Sequence, residues 1–268
     1  MMAADGRWPT KCHSGTPWAL VWSLKGITWA SMNPGSFVPP VNDSTSHRFV
    51  TALRRALQAL GIALHPAQIA RMTDHYRALL EANRRFNLTR ITDPAEAAVK
   101  HYADSLAPLA WPHRRLPDGL RVLDVGTGAG FPAVPLAIAR PGWQVTAVDG
   151  TAKKIGFVAD CGRRLGLTNL HALHTRVETL PLDGDPFDLI SFRAVGKLAE
   201  CFRLALPYLA RAGLVVCWKA ATIAPGEFHQ ALRAARRMGF SSPRCWAYEL
   251  VGMDSPRRHQ LVWAELER

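Results

Sequence analysis

Asp124, Gly126, Gly128, Gly130 and Asp149 are the residues of this chain whose types and spacing could do chemistry. They sit in and after the run VLDVGTGAGF, from Val122 to Phe131. Three alternating glycines let a backbone turn sharply and approach a ligand with no side chain in the way. Asp149 closes a second apolar run, Val145 to Val148, where a nucleotide-type cofactor needs an acceptor for its ribose hydroxyls. Two cofactor classes use this plan. A dinucleotide fold prefers G-x-G-x-x-G, whose third glycine permits close helix packing beneath a pyrophosphate, whereas this turn reads G-T-G-A-G with Asp124 two residues ahead of it. S-adenosylmethionine has no pyrophosphate to seat. Its zwitterionic amino-acid end and cationic sulfonium suit an acidic residue at the strand end and bare backbone in the turn. The residues therefore favour S-adenosylmethionine, with a dinucleotide as the alternative. A turn with no ligand would carry the entropic cost of its glycines without return.

The elements that must position these residues alternate. Val122, Leu123 and Val125 read as a buried parallel strand, and Pro132 and Pro135 suit the first turn of a helix running to about Arg140. Trp143 to Asp149 reads as a second strand, Ala152 to Leu165 as a helix ended by Gly166, and Leu170 to Leu173 as a third strand. A strand from Phe187 ends at Arg193, a helix spans about Leu198 to Leu209, a strand Leu214 to Trp218 ends at Lys219, and a helix runs from Glu227 to Met238. The last two strands, Cys245 to Val251 and His259 to Glu265, follow without a long helix between them, which predicts a hairpin at the sheet edge. Ahead of this α/β pattern, Phe49, Leu53, Ala56, Leu57 and Leu60 mark one helix. Ile69, Met72, Tyr76, Leu79 and Leu80 mark another, opened by Pro66. Asp93-Pro94 starts a helix with Val99, Tyr102, Leu106 and Leu109 on one face and Lys100, His101 and Asp104 on its other sides. His101 reads either as a phosphate or catalytic contact or as a helix-edge histidine.

Lys and Arg total 33 against 21 acidic residues, and this +12 balance favours a polyanionic partner, nucleic acid foremost, over plain solubilising charge. No apolar run is long enough to span a bilayer. Five scattered cysteines without C-x-x-C spacing point to a reducing cytoplasm and no structural metal. His171-x-x-His174 falls on a strand, where that spacing puts the two rings on opposite faces. Residues 1–45, with four tryptophans and no helix or strand period, read as a disordered extension or a mis-assigned start. Residues 46–110 read as a helical subdomain and residues 111–268 as the Rossmann-like domain.

The succession RRFNLTRITDP, KHYADSL, LDVGTGAGFPAVPLAIARP, VDGTAKKIGFV, RVE, FDLISFRAVGKLA and RRHQLVW resembles the bacterial ribosomal small-subunit methyltransferase G family, also called GidB, over about residues 46–268. The resemblance implies a class I S-adenosylmethionine-dependent methyltransferase fold, with a seven-stranded, mostly parallel sheet behind a small N-terminal helical subdomain. It implies methyl transfer to N7 of a guanine in 16S ribosomal RNA, naked or in the small subunit. A monomer is the default expectation for the chain. Carried onto this sequence, the family's cofactor contacts fall on Gly126, Phe131, Val177, Glu178 and Arg193. Asp149, Asp124 and Gly128 are added from the chemistry of the turn. Guanine N7 has a free lone pair, so no general base is expected. Arg193 is a candidate for organising the site, and Lys100, His101, Arg84 and Arg85 are candidates for binding RNA. The sequence departs from the family pattern at Phe192, where a small residue is usual, and at Gly150, where serine is usual. It also has no tryptophan before N-L-T.

Overall fold

The computed structural model describes residues 43–112, 115–253 and 256–267, so most of the expected N-terminal extension lies outside the described residues. Seven strands form one sheet in the order β3-β2-β1-β4-β5-β7-β6. They are β1 (Arg121–Val125), β2 (Gln144–Asp149), β3 (Leu170–His174), β4 (Phe187–Arg193), β5 (Leu209–Ala220), β6 (Arg244–Leu250) and β7 (Arg257–Glu265). The first five run parallel, while β7 lies antiparallel between β5 and β6. The expected hairpin is present, with its second strand on the inside.

Side chains alternate between the two faces of each strand, and both faces are covered. Val122, Val145, Leu189 and Leu214 point into one hydrophobic core, and their neighbours Leu123, Val148, Ile190 and Val215 point into the other. The first core is closed by α4 (Ala133–Ala139) and α5 (Ala152–Arg164), together with α1 (Asp43–Ala59) and α2 (Pro66–Asn83). The second is closed by α6 (Leu198–Ala205) and α7 (Pro225–Met238). Because the chain leaves β1 toward one face and β4 toward the other, the order reverses between these neighbours. The carboxyl ends of β1 and β4 therefore flank the crevice where such sheets bind ligands.

The N-terminal helices are fastened to the sheet layer. The Gln68 side-chain amide donates to the carbonyls of Ile138 (2.8 Å) and Ala139 (3.1 Å), which the end of α4 leaves without helical partners. Phe49 stacks on Tyr76 at 4.5 Å between centroids and meets Tyr102 edge-on at 4.9 Å. The single helix expected after Pro94 is three pieces: α3 (Pro94–Ala97), a π-helical turn (Ala98–Ala103) and a 3-10 turn (Ala107–Ala110). Asp93 caps α3 by accepting from the Ala95 and Glu96 amides, both at 3.0 Å. The largest other differences in length from the sequence expectation fall on two neighbouring elements. The helix from Leu198 stops at Ala205, where a 3-10 turn containing Pro207 takes over, and β5 then starts at Leu209 rather than Leu214.

Candidate active site

The turn after β1 has the shape its glycines foretold. Gly126, Gly128 and Gly130 all take positive φ, at 72°, 60° and 92°. The three are not equivalent in space. A Cβ on Gly126 would lie 2.6 Å from Val195 Cγ2, and one on Gly130 would lie 2.6 Å from Val134 Cγ2. Among the described residues, a Cβ on Gly128 would meet nothing nearer than the Gly126 carbonyl at 4.0 Å, so on that side the turn is open to a ligand. Asp149, at the end of β2, faces this bare position: Oδ2 accepts from the Gly128 amide at 3.1 Å and Oδ1 from the Thr151 amide at 2.8 Å. A carboxylate has about four acceptor positions, which leaves lone pairs for ribose hydroxyls. Lys154 Nζ stands 3.9 Å from Oδ2.

Asp124 lies beneath the turn rather than in it. Its carboxylate is fully buried, accepting from Ser191 Oγ (2.8 Å) and from the Ala133 amide at the start of α4 (3.2 Å). Burial pushes its pKa up to about 6 against the pull of those hydrogen bonds. The carboxylate ties β1, β4 and α4 into one frame. Phe131 is buried with one face stacked on His101 at 4.6 Å and its edge toward Tyr102 at 5.1 Å. Val177 is buried in the 3-10 turn Val177–Thr179, its carbonyl taken by the Tyr208 hydroxyl at 2.5 Å, while Glu178 beside it is exposed.

Arg193 ends β4 with 18% of its side chain exposed. Its Nη2 is 2.8 Å from Asp104 Oδ2 and also donates to the Lys100 carbonyl. Asp104, which the sequence places beside Lys100 and His101 with no role of its own, is the centre of a cluster. Its other oxygen accepts from the Tyr248 hydroxyl (2.6 Å) and contacts His259 Nδ1 (3.0 Å), and its carbonyl accepts from Trp218 Nε1 (2.8 Å). Burial alone would raise the Asp104 pKa, but the Arg193 guanidinium and the bonds from His259 and Tyr248 outweigh it and hold the carboxyl below the ordinary range. No local signal could have found this cluster, because its partners come from β4, β5, β6 and β7.

The expected RNA contacts fall in two places. Arg84 and Arg85 are exposed at the carboxyl end of α2, where Arg85 reaches Glu81 at 3.9 Å. Next to them Lys153 Nζ lies over the Phe86 ring at 5.4 Å, which sets these cations at the β2–α5 side of the crevice. Lys100 is paired with Glu96 inside a cleft of about 350 Å³ that it shares with Arg48, Asp93 and Arg257. His101 is interior, with Nε2 2.9 Å from Thr89 Oγ1. Burial, then the Arg193 and Lys100 charges against Asp104, lowers its pKa to about 3. The imidazole is neutral, and it braces Phe131. His171 and His174 reach separate partners, Gln144 Oε1 at 3.4 Å and the Gly150 carbonyl at 3.2 Å. Of the departures from the family pattern, Phe192 fills the second core, and a Cβ on Gly150 would come to 3.3 Å from Arg176 Cγ.

The site fits S-adenosylmethionine on its own geometry: a glycine with no side chain above it among the described residues, a carboxylate with spare lone pairs bonded to its amide, and an arginine at the adjoining strand end. A family model described as rRNA small subunit methyltransferase G matches residues 68–239. The Ribosomal RNA small subunit methyltransferase G of Microcystis aeruginosa is 43% identical over 160 residues, which cover 57% of this chain and 71% of that protein. Its namesake from Limosilactobacillus reuteri is 36% identical over 208 residues, 76% of this chain and 86% of that one. A crystal structure of precorrin-6y C5,15-methyltransferase from Geobacter metallireducens aligns with a TM-score of 0.48 at 17% identity, covering 65% of this chain and 89% of that one. With its seven-stranded sheet, its bare glycine turn and a family match over most of its described length, the chain belongs to the rRNA small subunit methyltransferase G (GidB) family.

Proposed function

We propose that this protein transfers a methyl group from S-adenosylmethionine to N7 of a guanine in small-subunit ribosomal RNA. The observation that carries the reading is the open position at Gly128 facing the Asp149 carboxylate, at the point where the strand order reverses. Bound there, the cofactor supplies an electrophilic methyl on a cationic sulfonium. Asp149 would accept from the ribose hydroxyls, the bare turn from Gly126 to Gly128 would take the amino-acid end, and Phe131, held by His101, would help to exclude water. Val177, buried, and Glu178, exposed, would hold the far side of the cofactor.

No side chain has to remove a proton, because guanine N7 presents a free lone pair. The residues catalyse by orientation and by excluding water. The purine gains positive charge as the methyl arrives, so a site of low net positive charge suits it. Pairing with Asp104 neutralises Arg193 at the crevice, and His101 is uncharged. Arg84, Arg85 and Lys153 border the crevice and meet RNA phosphates, and Lys100 does so once released from Glu96.

The test is methyl transfer from labelled cofactor to small-subunit particles lacking the modification, followed by mapping of 7-methylguanine. One labelled guanine that disappears with Asp149→Ala is the expected result. Incorporation at another atom or into another RNA overturns the acceptor, and absence of cofactor binding overturns the site.

A further inference from the structure

We propose that Asp104 is a positioning residue that acts through Arg193, holding one edge of its guanidinium so that the other edge is presented to the cofactor. The inference rests on the methyltransferase reading of the crevice and adds to it a residue from outside the crevice.

Three observations carry it. First, the contacts on Arg193 are one-sided. Nη2 alone meets Asp104 Oδ2 and the Lys100 carbonyl, while Nε and Nη1 form no hydrogen bond among the described residues. A guanidinium is a planar fork, and the ion pair with Asp104 together with the hydrogen bond to the Lys100 carbonyl restricts where that fork lies. Second, the carboxylate divides its work. Oδ2 serves Arg193, and Oδ1 serves Tyr248 and His259, so Asp104 is itself anchored to β6 and β7 by bonds that do not touch the arginine. With 2% of its side chain exposed, it cannot rotate away without abandoning all three partners.

Third, the backbone on both sides of the pair is unusual. Asp104 directly follows the π-helical turn Ala98–Ala103, and the carbonyl of Lys100 within that turn is the one Arg193 takes. Such wide turns are frequent at functional sites. Ala194, directly after Arg193, is one of two non-glycine residues with positive φ among those described, at +58°. An alanine in that region is strained and persists only where its surroundings determine it. Val195 next to it packs against Gly126, so the segment that carries Arg193 also abuts the glycine turn. The strain and the ion pair therefore converge on where one guanidinium sits.

The test measures S-adenosylmethionine affinity by calorimetry together with thermal stability, independently of any RNA. Asp104→Asn keeps the shape but removes the charge, and it should weaken cofactor binding about tenfold or more by loosening the fork. Tyr248→Phe removes a bond to Oδ1 only. It should lower the melting temperature while leaving cofactor affinity within about twofold, because Oδ2 keeps its grip. In an Arg193→Gln background, Asp104→Asn should add no further loss of affinity, as expected when one residue works through another. If Asp104→Asn does not fold alone, the double variant, which leaves no unpaired buried charge, supplies the folded protein to compare with Arg193→Gln. Unchanged affinity in Asp104→Asn overturns the proposal. So does equal weakening by Tyr248→Phe, and so do additive losses in the double variant. Failure of the unsubstituted protein to methylate RNA while it binds cofactor would sink the acceptor reading and leave this one standing.

Discussion

His101 shows how burial changes the meaning of a residue whose type alone suggested a phosphate contact. With its pKa lowered to about 3 from an ordinary 6.5, it is neutral throughout the physiological range and cannot offer charge to RNA. Its stability linkage has a definite sign. The unfolded chain takes up a proton near pH 6.5 that the folded chain refuses, so the stability present above that pH is lost as the pH falls toward 3. Between pH 7.5 and 5.5 that loss is about 1.4 kcal/mol for one such group. His101→Asn should therefore lose about 1.4 kcal/mol less than the parent protein over that interval in denaturant titrations. Parallel pH dependences would mean that His101 is accessible and charged. Asp124, pushed up to about 6, contributes with the opposite sign, but equally in both proteins, so the difference isolates the histidine. Asp149 has another kind of role, since it holds the amides of Gly128 and Thr151 and keeps lone pairs for a ligand. Asp149→Asn should weaken cofactor binding about tenfold or more and cost about 1 kcal/mol of stability. A dissociation constant unchanged in calorimetry would remove it from the site.

The glycine turn was legible in the sequence, while the π-helical turn opposite it was not, and the reason lies in the length scale of each signal. A turn is fixed by its own residues: Gly126, Gly128 and Gly130 announce positive φ because other residues resist it. The helix after Pro94 was read from Val99, Tyr102, Leu106 and Leu109, and one widened turn leaves those apolar positions on the same face. Periodicity cannot tell a four-residue bond from a five-residue one over so short a stretch. What the sequence also could not rank was the job of each glycine, and a pair of substitutions separates them. Gly130→Ala would push a methyl to 2.6 Å from Val134 Cγ2 at φ +92°, and it should cost about 2 kcal/mol or more in thermal or denaturant unfolding. Gly128→Ala has room for its methyl at φ +60°, so its stability loss should stay near 1 kcal/mol. That methyl enters the space bordered by Asp149, and cofactor affinity should fall by about tenfold or more. If Gly130→Ala is the better tolerated in stability, or Gly128→Ala binds cofactor normally, the open side of the turn has been misplaced.

For the whole molecule, strand alternation and the order of elements foretold a doubly wound sheet, and the switch between β1 and β4 then placed the crevice without any side chain being consulted. The Asp104 cluster needed the folded chain, because its hydrogen bonds join residues 114 to 155 positions apart. Net charge lies between these cases. The +12 balance favoured an anionic partner but could not say which cations are available to it. The structure sorts them. Arg84 and Arg85 are exposed beside the crevice, Arg85 only loosely held by Glu81 at 3.9 Å, whereas Lys100 is closely paired with Glu96 and far less exposed, and any phosphate must first displace that carboxylate. Each phosphate neutralised on single-stranded or duplex nucleic acid changes the slope of log affinity against log salt by about 0.7 to 0.9. The double variant Arg84→Ala, Arg85→Ala should therefore flatten the salt dependence of RNA binding by about 1.4 to 1.8 if both cations touch phosphate. Lys100→Ala should flatten it by less, because the charge it removes is already partly spent on Glu96. A larger change from Lys100 than from the arginine pair would move the RNA path away from the β2–α5 side of the crevice and into the cleft that Lys100 shares with Arg48 and Arg257.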